Sequence, residues 1–167
     1  MSNVTVGIIF KSYESLKSIQ AYARQSEESG FSGGFWIAEA YHWFRQYGLE
    51  ARGCFTTLAA ATMATRTIPI GLGITSPYMR HPTIQASECA AIDELSNGRF
   101  IMGIGVGKVG IEYLEYDTDK MKPVPVHHES MEIMRRNGVS VDCIRAVDHA
   151  IATGVWPDMT EHGWERD

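Results

Sequence analysis

Residues 4–106 alternate between short apolar runs and segments at helical spacing, and no other feature restricts the fold as strongly. VTVGIIF (4–10), GFWIA (34–38), IPIGLGI (68–74) and FIMGIGV (100–106) are nearly continuous apolar runs, as expected of strands buried on both faces. Between them, Leu16, Ile19 and Ala23 fall at helical spacing ahead of a stop at Ser29 and Gly30. Residues 56–64 are alanine-rich, and residues 82–95 form a third helical stretch with Ser96, Asn97 and Gly98 as its stop. Pro69 is tolerable only near the start of its strand. The order is βαβαβαβ with short connections. It predicts an α/β fold with a parallel sheet and right-handed crossovers, either open and doubly wound or part of a (β/α)8 barrel. In both architectures chemistry belongs at the C-terminal ends of the strands, here residues 10–12, 39–43, 73–80 and 105–110.

Beyond Gly110 the pattern weakens. Residues 112–122 are polar and tyrosine-bearing, Pro123 and Pro125 read as a loop, and a helix is expected over 128–136. Residues 140–153 read as another helix, with Val141, Ile144, Val147 and Ile151 on one face, Ser140 as cap and Gly154 as stop. The remainder reads as an irregular tail.

At 167 residues, 44% apolar and 21% charged, the chain suits one soluble domain with a sizeable core. A net charge of -5 without any Lys/Arg run argues against nucleic acid as a partner. Cys54, Cys89 and Cys143 are odd in number and widely spaced, which fits reduced thiols and a cytoplasmic location better than a disulfide framework or a metal knuckle. The first ten residues carry no cationic leader, and their apolar part is too short to span a membrane. No metal site is expected, because the adjacent His127 and His128 would point different ways on a helix.

The stretch RFIMGIGVGKVG (99–110) contains the dinucleotide pattern G-x-G-x-x-G at Gly105, Gly107 and Gly110. That fingerprint belongs after a first strand and at the start of a helix; here it follows the fourth strand and runs on toward prolines. A P-loop fails as well, because Val109 follows Lys108 where a Ser or Thr must hold magnesium. Two readings remain. Glycines at the ends of the third and fourth strands, Gly71, Gly73, Gly105 and Gly107, leave a floor for a planar ligand. Alternatively they relieve packing in a curved sheet.

The run GLGITSPYMRHPTIQASECAAIDELSNGRFIMGIGVGK (71–108) resembles the luciferase-like monooxygenase superfamily, and within it the coenzyme F-420-dependent, methylenetetrahydromethanopterin reductase-like branch. The shared features are a glycine-rich third strand, Arg80-His81-Pro82, and a helix ending in DELSNGRF (93–100). Ser29-Gly30-Phe31 and FWIAE (35–39) fall where that family has its first-helix exit and second strand. The resemblance covers about residues 4–136. It implies a TIM barrel, usually dimeric, holding a deazaflavin (coenzyme F-420), or FMN as the alternative, at the C-terminal ends of its strands. A small organic substrate would exchange hydride with it.

Residue by residue, the resemblance places Glu39 at the family's acidic position after the second strand, as a cofactor contact or proton relay. His42 is the candidate general acid or base, displaced from the family's usual histidine position by Ala40 and Tyr41. A structural role between Tyr41 and Trp43 is the other reading of His42. A bulge with a non-proline cis peptide under the cofactor ring maps to Gly73 and Ile74, with Thr75 and Ser76 as nearby hydrogen-bonding groups. Gly105, Val106 and Gly107 fall where the fourth-strand loop meets the cofactor, while Lys108 reads as a solvated lysine. Arg80 and His81 invite an anion clamp, but His81-Pro82 fits the start of the third helix and Arg80 a structural role.

A (β/α)8 barrel typically needs about 250 residues. The resemblance therefore makes residues 1–136 the N-terminal half of a barrel, apparently incomplete, and residues 137–167 a separate segment without a convincing fifth strand. The expectation is a truncated chain, or a half-barrel completed by a homodimer or by a complementing half-barrel chain. A non-catalytic half-barrel that binds cofactor or only a partner subunit is the alternative to an enzyme.

Overall fold

The computed structural model describes residues 5–39, 47–105, 111, 114–117 and 119–139. Four strands, β1 (Ile8–Lys11), β2 (Phe35–Ala38), β3 (Ile70–Thr75) and β4 (Phe100–Ile104), alternate with helices α1 (Leu16–Glu28), α2 (Cys54–Ala64) and α3 (Pro82–Ser96). A fourth helix, α4 (Pro123–Arg136), follows. All strand pairs are parallel, in the spatial order β1-β2-β3-β4. The expected alternation and parallel sheet are therefore present. The expected helix over 140–153 and the tail lie outside the described residues.

Register explains which side chains reach the core. Ile8, Phe35, Ile70 and Phe100 stand in one cross-strand row, and Phe10, Ile37, Leu72 and Met102 in the next. Both rows face the helices because strand side chains alternate between faces. Ile19 and Ala23 of α1, Leu58 and Ala61 of α2, Ala86, Cys89 and Ile92 of α3, and Met131 and Met134 of α4 complete this core. Phe10 stacks on Tyr22 and on Phe35, with ring centroids 4.8 and 5.0 Å apart. The intervening row, Ile9, Trp36, Gly71 and Ile101, lies on the opposite face of the sheet.

Element ends follow local chemistry. Ser15 Oγ accepts the Ser18 N–H at 3.0 Å and caps α1. His81 Nδ1 accepts the Thr83 N–H and caps α3, with Pro82 in its first turn. Asn97 in the left-handed region stops α3, as the sequence predicts. The loop expected at Pro123 and Pro125 is instead the first turn of α4. First-turn N–H groups have no partner inside a helix, so prolines there forfeit nothing.

Glu27, near the end of α1, accepts the N–H groups of Arg66, Thr67 and Ile68 and the Thr67 hydroxyl, tying α1 to the turn that enters β3. Partial burial opposes ionisation, but these donors outweigh it and bring the carboxyl down to about 2. A carboxylate with a depressed folded-state pKa adds stability above its unfolded value, near 4.3, and loses it as pH falls toward the folded value. Glu27→Gln is therefore expected to cost about 1 kcal/mol above pH ~5, a modest figure because water screens this surface position. Urea unfolding of both proteins from pH 7 to 2 should show the gap closing toward pH 2; a gap independent of pH would refute the assignment.

Candidate functional site

Glu39 directly follows β2, and its N–H donates to the Ile74 carbonyl at 3.3 Å. Its side chain is 2% exposed. Oε1 accepts from Cys54 Sγ at 3.1 Å and from Arg80 Nη2. Oε2 accepts from Thr75 Oγ1 at 2.5 Å, with Arg80 Nη1 at 3.5 Å. Thr75 Oγ1 in turn accepts from Gln85 Nε2 at 2.9 Å. One carboxylate thus collects donors from α2, β3 and the turn after β3.

Arg80 is held from three sides. Its guanidinium lies 4.8 Å from the centroid of the Phe55 ring, and its Nε pairs with Glu88 Oε2 at 3.2 Å. Burial works to lower the Arg80 pKa, but the facing Glu39 carboxylate outweighs it and the net shift is upward. Burial pushes the Cys54 thiol up, and Glu39 adds to that, so the thiol stays protonated and donates. Glu88 is also raised, by burial first, with Arg80 opposing and Glu39 contributing. Cys54, Phe55, Met79, Arg80 and Glu88 border a cleft beside this network.

The end of β3 joins the network through Thr75. The Gly73–Ile74 peptide is cis, the conformation the family resemblance implies. The pairing of β3 with β4 shifts register between Leu72 and Thr75, and Gly105 N–H donates to the Thr75 carbonyl at 2.9 Å. Ile74 is left 48% exposed. Its Cδ1 occupies the space above Gly105, where an added Cβ would come within 2.4 Å. Gly71 has a packing role as well, since a Cβ there would lie 2.3 Å from the Trp36 ring.

Of the residues singled out from sequence, Glu39, Gly73, Ile74, Thr75 and Gly105 come together at the C-terminal end of the sheet. His42, Val106, Gly107 and Lys108 lie outside the described residues. Arg80, Cys54 and Gln85 complete the network without having been identified as site residues. Gln85 carries a usable signal, being a polar residue among Ala86, Cys89 and Ile92 on the buried side of α3. His127 is buried and His128 exposed on α4. Among the described residues no three His, Cys, Asp or Glu side chains are grouped to hold a metal.

The family model for luciferase-like monooxygenases matches residues 4–138. A 5,10-methylenetetrahydromethanopterin reductase from Methanolobus tindarius is 34% identical over 105 residues, covering 63% of this chain and 29% of its own. The structure of the coenzyme F-420-dependent tetrahydromethanopterin reductase from Methanopyrus kandleri superposes with a TM-score of 0.60 at 31% identity, covering 70% of this chain and 31% of that one. The FMN complex of a type II Baeyer–Villiger monooxygenase from Pseudomonas putida, at 20% identity and TM-score 0.66, covers 78% and 38% and shares the fold. The chain spans about three tenths of the length of the curated reductases it matches.

Proposed function

Because the chain belongs to the luciferase-like monooxygenase family, we propose that it forms the cofactor floor of a coenzyme F-420-dependent oxidoreductase acting on a small organic substrate, of the methylenetetrahydromethanopterin reductase kind. The observation that carries this reading is Ile74, an apolar side chain 48% exposed at the C-terminal end of the sheet, beside two glycines and backed by a buried ion pair. A flat, largely apolar ring fits against such a surface, where Ile74, lying over Gly105, offers methyl groups. The deazaflavin, when bound, supplies the hydride chemistry. The chain positions it. Glu39 and Thr75 spend their hydrogen bonds on one another, Cys54, Gln85 and Arg80, so their role here is to hold the bulge. Proton handling then falls to His42, and contact with the cofactor's edge to Val106 and Gly107.

The same proposal takes residues 1–136 as the half-barrel, a homodimer or a complementing half-barrel chain as partner, and a cytoplasmic location. Among the described residues no helix is long and apolar enough to cross a membrane.

Titration of the purified chain with oxidised coenzyme F-420 and, in parallel, FMN, followed by cofactor fluorescence, tests the reading. Micromolar uptake of the deazaflavin is expected, weakened roughly tenfold by Ile74→Ala because one apolar contact is lost. Preference for FMN would place the chain with the monooxygenases. Uptake of neither by the folded chain would overturn the proposal.

A further inference from the structure

We propose that Arg80 is a positioning residue for the end of β3, fixing the Ile74 bulge through the Glu39 carboxylate and the Thr75 hydroxyl. This rests on the reading of that bulge as a cofactor floor. The bonds form a continuous chain. Arg80 is set against α3 by Glu88 and against α2 by the Phe55 ring. Its two Nη groups reach both oxygens of Glu39, and Nη1 lies 3.4 Å from Thr75 Oγ1. Glu39 N–H then holds the Ile74 carbonyl, and the Thr75 carbonyl holds Gly105 N–H. A planar guanidinium can serve Glu39, Thr75 and Glu88 together; an ammonium, with its donors at a single point, cannot. Gln85 adds a second support, since its Nε2 must donate to Thr75 once the Thr75 hydroxyl is committed to Glu39. The side chain given only a structural role from sequence therefore governs where Ile74 and Gly105 sit.

The test separates positioning from simple loss of stability. Arg80→Met alone leaves a buried carboxylate without its cation and can fail to fold, so the double variant Glu39→Gln, Arg80→Met, in which the pair is neutral, is measured beside Arg80→Lys. Amide exchange in the 167-residue chain is followed by NMR. In the double variant the amides at position 39 and at Gly105 should exchange at least tenfold faster. Those of Arg66, Thr67 and Ile68, held by Glu27 at the entry to β3, should keep their rates. Arg80→Lys should fall between. Affinity for coenzyme F-420 should drop at least tenfold in the double variant. Unchanged exchange at Gly105, or acceleration in step with residues 66–68, would overturn the proposal. Wild-type chain that takes up neither F-420 nor FMN, yet shows the selective exchange pattern in the variants, would uphold Arg80's hold on the bulge and reject the cofactor reading.

Discussion

Arg80→Met is expected to cost about 3–5 kcal/mol of folding stability, the usual loss when one partner of a buried ion pair is removed. The reason lies in what stays behind. Glu39, 2% exposed beside Arg80, keeps only a thiol and a hydroxyl as its other side-chain donors, and neither neutralises a carboxylate. For a chain of this length the loss corresponds to a melting temperature lower by on the order of 10 °C. Neutralising both partners with Glu39→Gln, Arg80→Met should restore most of it, since two uncharged side chains carry no desolvated charge. Surface pairs provide the contrast. Lys120–Asp117, with its lysine 83% exposed, should change stability by less than about 0.5 kcal/mol on Lys120→Met. Urea unfolding of the four proteins decides the matter. An Arg80→Met cost no larger than that of Lys120→Met would show that Glu39 finds water or another cation, and would remove the ion pair as a determinant of the strand end.

The elements that were readable from sequence are those whose cause is local. Asn97 and Gly98 stop α3 through their own positive φ angles. Likewise, the β-branched and aromatic runs mark the strands whatever lies elsewhere in the chain. Boundaries were less legible. The first strand was expected over residues 4–10, whereas the regular strand runs from Ile8 to Lys11; hydrogen bonds from Gly33 N–H to the Val6 carbonyl and from Ile8 N–H to the Gly34 carbonyl already join the two segments ahead of it. Pro123 misled for a different reason: proline reads as a breaker, but the first turn of a helix lacks the bonds it would break.

The site divides along the same line. Glu39, Gly73 to Thr75 and Gly105 stand at strand ends and could be located from the alternation and the family resemblance. Their partners could not, because Arg80 meets Glu39 across 41 residues and Cys54 meets it across 15. No local period encodes which basic residue faces which acid. The glycine question is settled in part by the same contacts. Gly71 gives way to the Trp36 ring, so at that position packing, and not a ligand, is what the missing side chain serves.

Gly103→Ala is expected to cost about 3 kcal/mol or more, at or beyond the upper end for overpacking a close-packed interior. Its Cβ would stand 2.3 Å from the Leu72 carbonyl oxygen and 3.2 Å from Ile74 Cγ2. A carbonyl oxygen is backbone, and this one sits where β3 shifts register against β4, so relief requires moving a strand. Gly105→Ala makes an equally short contact, 2.4 Å, but with Ile74 Cδ1, the end of a flexible side chain that can rotate aside. Its stability cost should stay below about 1 kcal/mol, while the displaced Ile74 weakens cofactor uptake. The two alanines should thus separate cleanly, Gly103→Ala losing fold and Gly105→Ala losing ligand affinity. Urea unfolding with F-420 titration reads both effects. If Gly103→Ala cost less than Gly105→Ala, β3 would be free to re-register past Leu72, and the bulge at Ile74 would owe its place to Arg80 and Glu39 alone.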